Sequence, residues 1–135
     1  VEGFKQGMAE TLSAEDYDTH YNLGIAYREM GLIDEAISEF QLAAKDNRYL
    51  VDCCSLLAAC FIEKGFPELG IKWYNEGLSS PIITEDETLG LIYELGDLYL
   101  SMGEPEEARL RFVEIFGVNS DYRDVSAKLA ALEGA

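Results

Sequence analysis

Apolar residues recur along this chain at three- and four-residue intervals, the spacing that places them on one face of an α-helix. Near the N-terminus Phe4, Met8 and Leu12 follow one another four residues apart. Near the C-terminus Val125, Leu129 and Leu132 repeat the pattern. These runs predict a leading helix and a last helix. In total the pattern predicts seven or eight helices, at about residues 2–11, 14–30, 34–46, 50–64, 67–78, 85–102, 105–116 and 121–132.

The central part of the chain contains an internal repeat. The motif Leu-Gly-x-x-Tyr occurs at residues 23–27 and 95–99, and a degraded copy, Leu-Ala-Ala-Cys-Phe, occurs at residues 57–61. The first two copies are 34 residues apart and the third lies 38 residues further on, so we place four inserted residues in the connection 79–87. A glycine follows each motif, and a small residue paired with an aromatic one follows each glycine: Ala36 and Phe40, Gly70 and Tyr74, Ala108 and Phe112.

Each part of the repeat has a physical role in a pair of packed helices. Small residues at Gly24, Ala58 and Gly96 allow two helix backbones to approach closely. The glycines at positions 31, 65 and 103 suit the left-handed residue that ends a helix. Pro67 and Pro105 then fall at the first position of the next helix, where the missing N–H has no cost. The segment Thr84-x-x-Glu87 predicts a capping box.

Residues 17–122 resemble the tetratricopeptide repeat family, whose signature is Trp-x2-Leu-Gly-x2-Tyr, then Ala-x3-Phe, then Pro on a period of 34. The family's Trp is replaced by His20, Cys54 and Ile92, and its closing Pro by Arg48, Ile82 and Ser120. The resemblance implies an all-α, right-handed superhelix of antiparallel helix pairs, an α-solenoid. We expect one domain over 1–135, with a leading helix at 1–13, repeats at 17–50, 51–88 and 89–122, and a capping helix at 121–133.

The charge of the chain restricts its partners. Its 135 residues contain 10 Lys and Arg against 26 Asp and Glu, a formal net charge of -16. Phosphate groups of nucleic acids and anionic membrane surfaces are repelled by such a chain, so we expect neither as a partner. The longest uncharged apolar run, residues 53–62, is too short to span a bilayer. With no signal peptide visible we expect a cytoplasmic location, and with no initiator Met we expect a domain of a longer protein.

Few residues are candidates for chemistry. Cys53, Cys54 and Cys60 are odd in number and clustered, which favours reduced structural thiols over a redox or metal site. His20, one turn after Asp16, is the only imidazole, and we expect it to pack between helices. The acidic clusters at residues 34–35, 85–87 and 104–107 fall at predicted helix starts, where they complement the helix dipole. We therefore expect no enzyme activity, no cofactor and no metal site.

The resemblance implies that the first helix of each pair lines a concave groove that holds a partner segment. Some members of the family hold a C-terminal carboxylate with Lys and Asn side chains, but the matching positions here carry Tyr21, Ile25, Leu56, Gly90 and Glu94. The expected groove residues are Asp18, Tyr21, Ile25 and Arg28 of the first pair, Asp52, Ser55, Ala59 and Ile62 of the second, and Tyr93, Glu94, Asp97 and Leu100 of the third.

The expected function is non-catalytic protein–protein interaction, as a scaffold or adaptor. The row Asp18, Asp52 and Asp97 beside apolar residues predicts a helical or extended partner segment that is apolar on one side and carries Lys or Arg. The alternative that these acids are a solvated face stays open. A second hypothesis is structural self-association into a weak homo-oligomer, with Phe4, Met8 and Leu12 packing on a neighbour. On the last helix we expect Arg123, Asp124, Lys128 and Glu133 to face outward.

Overall fold

The computed structural model describes residues 16–134 of the chain. The predicted leading helix lies outside the described residues. Within them there is no strand, and the chain forms seven α-helices. These are α1 (Tyr17–Glu29), α2 (Ile33–Ala43), α3 (Asn47–Glu63), α4 (Pro67–Leu78), α5 (Glu85–Ser101), α6 (Pro105–Val118) and α7 (Val125–Glu133).

Local sequence signals set where these helices begin. The Thr84 hydroxyl accepts a hydrogen bond from the Glu87 N–H (3.1 Å) and the Glu87 carboxylate accepts one from the Thr84 N–H (3.0 Å), so the predicted capping box is confirmed. Pro67 and Pro105 are the first residues of α4 and α6, as predicted. Helix α3 begins at Asn47, three residues before its predicted start, because the Asp46 side chain caps it through the Arg48 N–H at 2.9 Å.

The first helix of each pair is followed by a left-handed glycine. Gly31, Gly65 and Gly103 have φ values of 80°, 90° and 75°, a region that other residues adopt at a cost of about 1 kcal/mol. One residue further on, an N–H donates back to the carbonyl of the repeat's aromatic residue. These bonds join Leu32 to Tyr27 (2.8 Å), Phe66 to Phe61 (2.8 Å) and Glu104 to Tyr99 (2.9 Å). The same turn therefore reverses the chain three times and makes each pair antiparallel.

Helices within a pair approach closely at the predicted small residues. A Cβ at Gly24 would lie 2.5 Å from the Phe40 ring, and one at Gly96 would lie 2.6 Å from the Phe112 ring. In the middle pair the small residue lies on the second helix, where a Cβ at Gly70 would meet Ile62 at 2.7 Å. In each pair, an aromatic or branched side chain of one helix therefore packs directly against the backbone of a glycine on the other helix.

The pairs stack into a helical solenoid whose core consists of three connected clusters. The first is centred on Phe40 and Leu57, the second on Tyr74 and Leu95, and the third on Phe112 and Ile115. Three partly buried residues belong to two clusters at once and so join them: Trp73 joins the first to the second, and Leu78 and Tyr99 join the second to the third. The connection between α4 and α5 spans residues 79–84, whereas residues 44–46 suffice between α2 and α3.

The last helix differs from its prediction. Helix α7 begins at Val125 rather than near residue 121, because residues 119–124 form a turn in which Arg123 has a φ of 41°. Val125 is fully buried against α6, as a capping helix requires. Asp124 is exposed, in line with the expectation that it faces outward, and Lys128 is half-buried. Both side chains also contact α5, which the sequence did not suggest.

Candidate functional site

Three adjoining depressions run across α1, α3 and α5, and we call the surface that they form the inner face. The first lies between α3 and α5, the second between α1 and α3, and the third along α1. The first two share Asp52 and Ser55, and the last two share Ile25. The depressions are therefore parts of one continuous groove.

The depression between α3 and α5 is predominantly acidic and has a volume of about 260 Å³. Carboxylates enter it from both helices, and the C-terminal turn contributes one tyrosine and one arginine. Its lining residues are Val51, Asp52, Ser55, Asp86, Glu87, Gly90, Leu91, Glu94, Tyr122 and Arg123. Within the described residues, neither Asp52 nor Asp86 forms an ion pair.

The other two depressions are more apolar. The one between α1 and α3, of about 340 Å³, is lined by Tyr21, Ile25, Asp52, Ser55 and Leu56. The Tyr21 ring stacks on the Tyr49 ring at a centroid distance of 5.0 Å, which fixes one wall of this depression. Partial burial and then the nearby Asp52 raise the pKa of Tyr21, so its hydroxyl stays a neutral donor at physiological pH. The third depression, of about 360 Å³, adds Arg28 and Glu29 beside Ile25.

The structure brings together six of the twelve predicted groove residues: Tyr21, Ile25, Arg28, Asp52, Ser55 and Glu94. Asp18 is exposed, but its carboxylate accepts a hydrogen bond from the Tyr49 hydroxyl and lies 3.7 Å from Arg48. Ala59 is half-buried and lines none of the three depressions described. Ile62 and Leu100 pack on the core clusters, Ile62 against Gly70.

The C-terminal segment covers the third-pair residues. Tyr93 is 8% exposed, and its hydroxyl donates to Asp124 at 2.5 Å. It therefore lies beneath the surface rather than on the wall of an open groove. The Asp97 carboxylate lies 2.9 Å from the Lys128 ammonium, and the Glu94 carboxylate lies 3.6 Å from Arg123. The hydrogen bond that Lys128 donates to Asp97 raises the pKa of Lys128, so this ion pair persists at neutral pH.

Sequence reasoning missed several groove residues. Asp86 and Glu87 line the acidic depression, although the sequence suggested for them only a role at a helix start, and Val51 and Leu91 line it without having been predicted for the groove. Their positions one helical turn from Ser55, Gly90 and Glu94 were a usable signal. No signal pointed to Tyr122 and Arg123, because their position depends on the turn that replaces the first residues of the predicted last helix.

The cysteine and histidine side chains that were candidates for chemistry are buried between the helices. Cys53, Cys54 and Cys60 are free, fully buried thiols. Burial raises the pKa of Cys53 and of Cys54 to about 12 and also raises that of Cys60. His20 is 3% exposed, and its Nδ1 lies 2.5 Å from a Glu39 oxygen on α2, so the imidazole joins the first pair.

Metal-ligand geometry and helix hydropathy were also considered. Within residues 16–134, no three His, Cys, Asp or Glu side chains are arranged to hold a metal ion. The helices of the same region are all too short or too polar to cross a bilayer.

Comparison with known proteins agrees with the fold. Residues 17–45 match the family model described as tetratricopeptide repeat. None of the curated proteins matches the chain. Among solved structures, the chain is similar to the Yersinia enterocolitica type III secretion chaperone SycD in complex with a peptide of the translocator YopD, with a TM-score of 0.70, 20% identity, and coverage of 90% of this chain and 95% of that one.

Two further solved structures share the architecture. The first TPR of Spaghetti (RPAP3) bound to the HSP90 peptide SRMEEVD has a TM-score of 0.68 at 12% identity, over 90% of this chain and 94% of that one. PcrH in complex with the chaperone binding region of PopD has a TM-score of 0.63 at 20% identity, over 91% of this chain and 90% of that one. At these identities the likeness is one of fold.

Proposed function

We propose that this chain, a tetratricopeptide-repeat protein by its fold and by the match of residues 17–45, is a non-catalytic module that binds a segment of a partner protein along its inner face. The observation that carries the proposal is the continuity of the groove, since Asp52 and Ser55 line both of its first two depressions and Ile25 lines both of its last two. A continuous groove suits an extended or helical chain better than a compact small molecule. All three similar structures are described as complexes with a peptide or a binding region.

The lining residues favour a partner segment with both apolar and basic side chains. Tyr21, Ile25 and Leu56 offer an apolar contact surface between α1 and α3. Tyrosine is a favoured contact residue because it buries a large area at a small entropy cost. Beside this surface, Asp52 and Asp86 offer carboxylates without an intramolecular cation among the described residues. A Lys or Arg of the partner fits there, whereas an acidic peptide such as SRMEEVD meets like charge.

Of the acidic row Asp18, Asp52 and Asp97, two members already contact other side chains of the chain. Arg48 and Tyr49 engage Asp18, and Lys128 engages Asp97. Asp52 is thus the member of the row on which a basic partner depends most. The partner segment accordingly crosses α3 between the apolar depression and the acidic one.

The test is selection of peptides from a random phage-displayed library against the purified chain. We expect enriched peptides that place Lys or Arg within a few residues of an aliphatic or aromatic side chain. Asp52→Lys should weaken their binding about tenfold at low salt, and added salt should reduce the wild-type affinity. Glu68→Lys, an equal charge change at an exposed position of α4 outside the groove, is the matched control. Equal binding by the two variants, or enrichment of acidic peptides, would contradict the proposal.

A further inference from the structure

Arg123, in the turn before α7, brings a cation into the acidic depression of the inner face. Its guanidinium carbon lies 4.7 Å from the centre of the Tyr93 ring and 5.3 Å from the centre of the Tyr122 ring. A guanidinium nitrogen lies 3.6 Å from the Glu94 carboxylate. Two aromatic rings and a carboxylate are the surroundings that an arginine side chain favours. This end of the groove therefore contains a guanidinium subsite, formed by the two rings and Glu94, and the chain itself occupies it.

The first repeat contains a matching pair of tyrosine rings, one of which lines the groove. Tyr21 and Tyr93 are equivalent, because each lies two residues before its Leu-Gly-x-x-Tyr motif. Tyr21 contacts Tyr49 at a centroid distance of 5.0 Å, and Tyr93 contacts Tyr122 at 6.2 Å. Tyr21 lines the apolar depression, whereas Tyr93 lies under the guanidinium of Arg123. The repeat fold thus permits a tyrosine at this position to face the groove, and Arg123 prevents it in the third repeat.

The arginines beside these two pairs of rings are held differently. Arg48 donates to the Asp46 carboxylate, two residues earlier, at 2.6 Å and 3.0 Å, and so belongs to the start of α3. Among the described residues, the ion-pair partner of Arg123 is Glu94, which lies on another helix and at a longer distance. The exposed fractions of the Arg123 and Glu94 side chains are 49% and 46%, so their contact contributes little to stability. Arg123 can therefore leave the subsite at small cost.

The backbone of Arg123 is strained. It has a φ of 41° and is the one residue other than glycine with a positive φ in the part of the chain that the structure describes. Such a conformation persists where surrounding contacts hold it, and it is concentrated at ligand-binding and switching segments. Stacking on the two rings and the contact with Glu94 are such contacts. Exchange of these contacts for those of another cation allows the turn to relax.

We propose that the guanidinium subsite receives an arginine of the partner segment, which displaces Arg123 from the two rings and from Glu94. This proposal rests on the proposed function, because it assigns the partner's cation to one end of the same groove. Arg123 opposes binding in two ways. It occupies the contacts that a partner guanidinium makes, and its charge repels a second cation beside Asp52 and Asp86. Arginine is favoured over lysine because its planar group stacks on a ring while it contacts a carboxylate.

Fluorescence anisotropy with a labelled peptide, Leu-Phe-Gly-Gly-Arg-Gly, tests the exchange. Its apolar and basic residues are separated by roughly 10 Å of extended chain, which is the distance between neighbouring packed helices. Arg123→Gln should bind this peptide about three- to tenfold more tightly than the wild type, because the subsite is then free. Arg109→Gln removes the same charge from α6, outside the groove, and is the matched control. It should change the affinity by less than about twofold.

A second peptide, with citrulline in place of arginine, distinguishes exchange of a cation from a general opening of the turn. Citrulline keeps the shape of arginine without its charge, so Arg123→Gln should change its binding by less than about twofold. An equal gain for both peptides, equal binding of the arginine peptide by Arg123→Gln and Arg109→Gln, or weaker binding by Arg123→Gln would overturn the proposal. Binding that Asp52→Lys leaves unchanged would instead contradict the proposed function. Absence of binding by the wild type and by Arg123→Gln would overturn both.

Removal of the Glu94 carboxylate tests the subsite independently. In a Glu94→Gln background, Arg123→Gln should raise the affinity for the arginine peptide by no more than about twofold, because the carboxylate for which the two guanidinium groups compete is gone. The contact between Lys128 and Asp97 still holds α7 in these variants, and circular dichroism verifies that they remain helical. A gain as large as in the presence of Glu94 would show that Arg123 acts elsewhere and would contradict the proposal.

Discussion

The Lys128 ammonium on α7 lies 2.9 Å from the Asp97 carboxylate on α5, 31 residues earlier in the chain. Together with the hydrogen bond from Tyr93 to Asp124, this contact fastens the capping helix to the third pair. An acid that the sequence suggested for a partner is therefore engaged by the chain itself. Asp97 therefore contributes to the stability of the fold, whereas Asp52 lines two depressions of the inner face and forms no ion pair among the described residues.

Lys128→Ala and Asp97→Asn should each loosen α7 while leaving the first pair intact. Because both side chains are partly exposed, a double-mutant cycle should give a coupling of about 0.5–1 kcal/mol in the free energy of unfolding. Hydrogen exchange should quicken in α7 and stay unchanged in α1 and α2. Arg109→Ala, which removes a comparable ion pair on α6, is the control. Uniform loss of protection along the chain would show that α7 is not a separate unit.

Binding measurements should discriminate between the roles of Asp97 and Asp52. Asp97→Asn should change the affinity for a selected basic peptide less than twofold, whereas Asp52→Lys should lower it about tenfold. Fluorescence anisotropy with a labelled peptide measures both values. Larger dependence on Asp97 than on Asp52 would mean that a partner displaces Lys128.

Close packing at Gly24 and Gly96 predicts an asymmetry among glycine substitutions. Gly24→Ala and Gly96→Ala press a Cβ into the Phe40 and Phe112 rings and should destabilise the chain by about 1–3 kcal/mol. Gly117→Ala meets nothing within 4 Å and should stabilise α6 by up to about 1 kcal/mol. Urea unfolding followed by circular dichroism measures all three. A neutral Gly24→Ala would indicate that Phe40 can move aside.

The buried thiols predict both slow modification and loss of stability at high pH. With the pKa of Cys53 and of Cys54 near 12, their thiolate fraction at pH 8 is about a thousandfold below that of a free cysteine. Ellman's reagent should therefore react slowly with the native chain and with three thiols after unfolding in guanidinium. Since the folded pKa is raised, this stabilising contribution is complete below about pH 8.5 and declines as the pH rises towards 12.

An exposed thiol provides the control for that measurement. Val113→Cys should add one group that reacts within seconds in the native chain, because Val113 is exposed. Rapid reaction of Cys53 or Cys54 in the native chain would contradict the burial of these two side chains on α3.

Acidification should release the Tyr93 contact. The hydrogen bond from Tyr93 lowers the pKa of Asp124, so its contribution to stability is present above the pKa of an unfolded aspartate, about 3.9. That contribution is lost as the pH falls from there through the lower folded pKa. Asp124→Asn should thus melt below the wild type at pH 7, and the difference should disappear in strong acid. Thermal melts across pH 2–7 test this, and a constant difference would contradict it.

Much of the fold was predictable because the repeat marks its own turns and packing positions. Gly31, Thr84 and Pro105 act through local backbone geometry, so their roles follow from sequence alone. The covering of Tyr93 was not predictable in this way. It depends on a turn in which Arg123 takes a left-handed conformation and stacks 4.7 Å above the Tyr93 ring. Such a contact between distant segments leaves no periodic trace in the sequence.

The residues shared between core clusters have a consequence for unfolding. In a linear array each pair contacts only its neighbours, so an end can fray before the middle. Here Trp73 joins the first two clusters, and Leu78 and Tyr99 join the last two. Loss of one cluster strips packing from the next, which couples the pairs and favours a single cooperative transition over stepwise melting from one end.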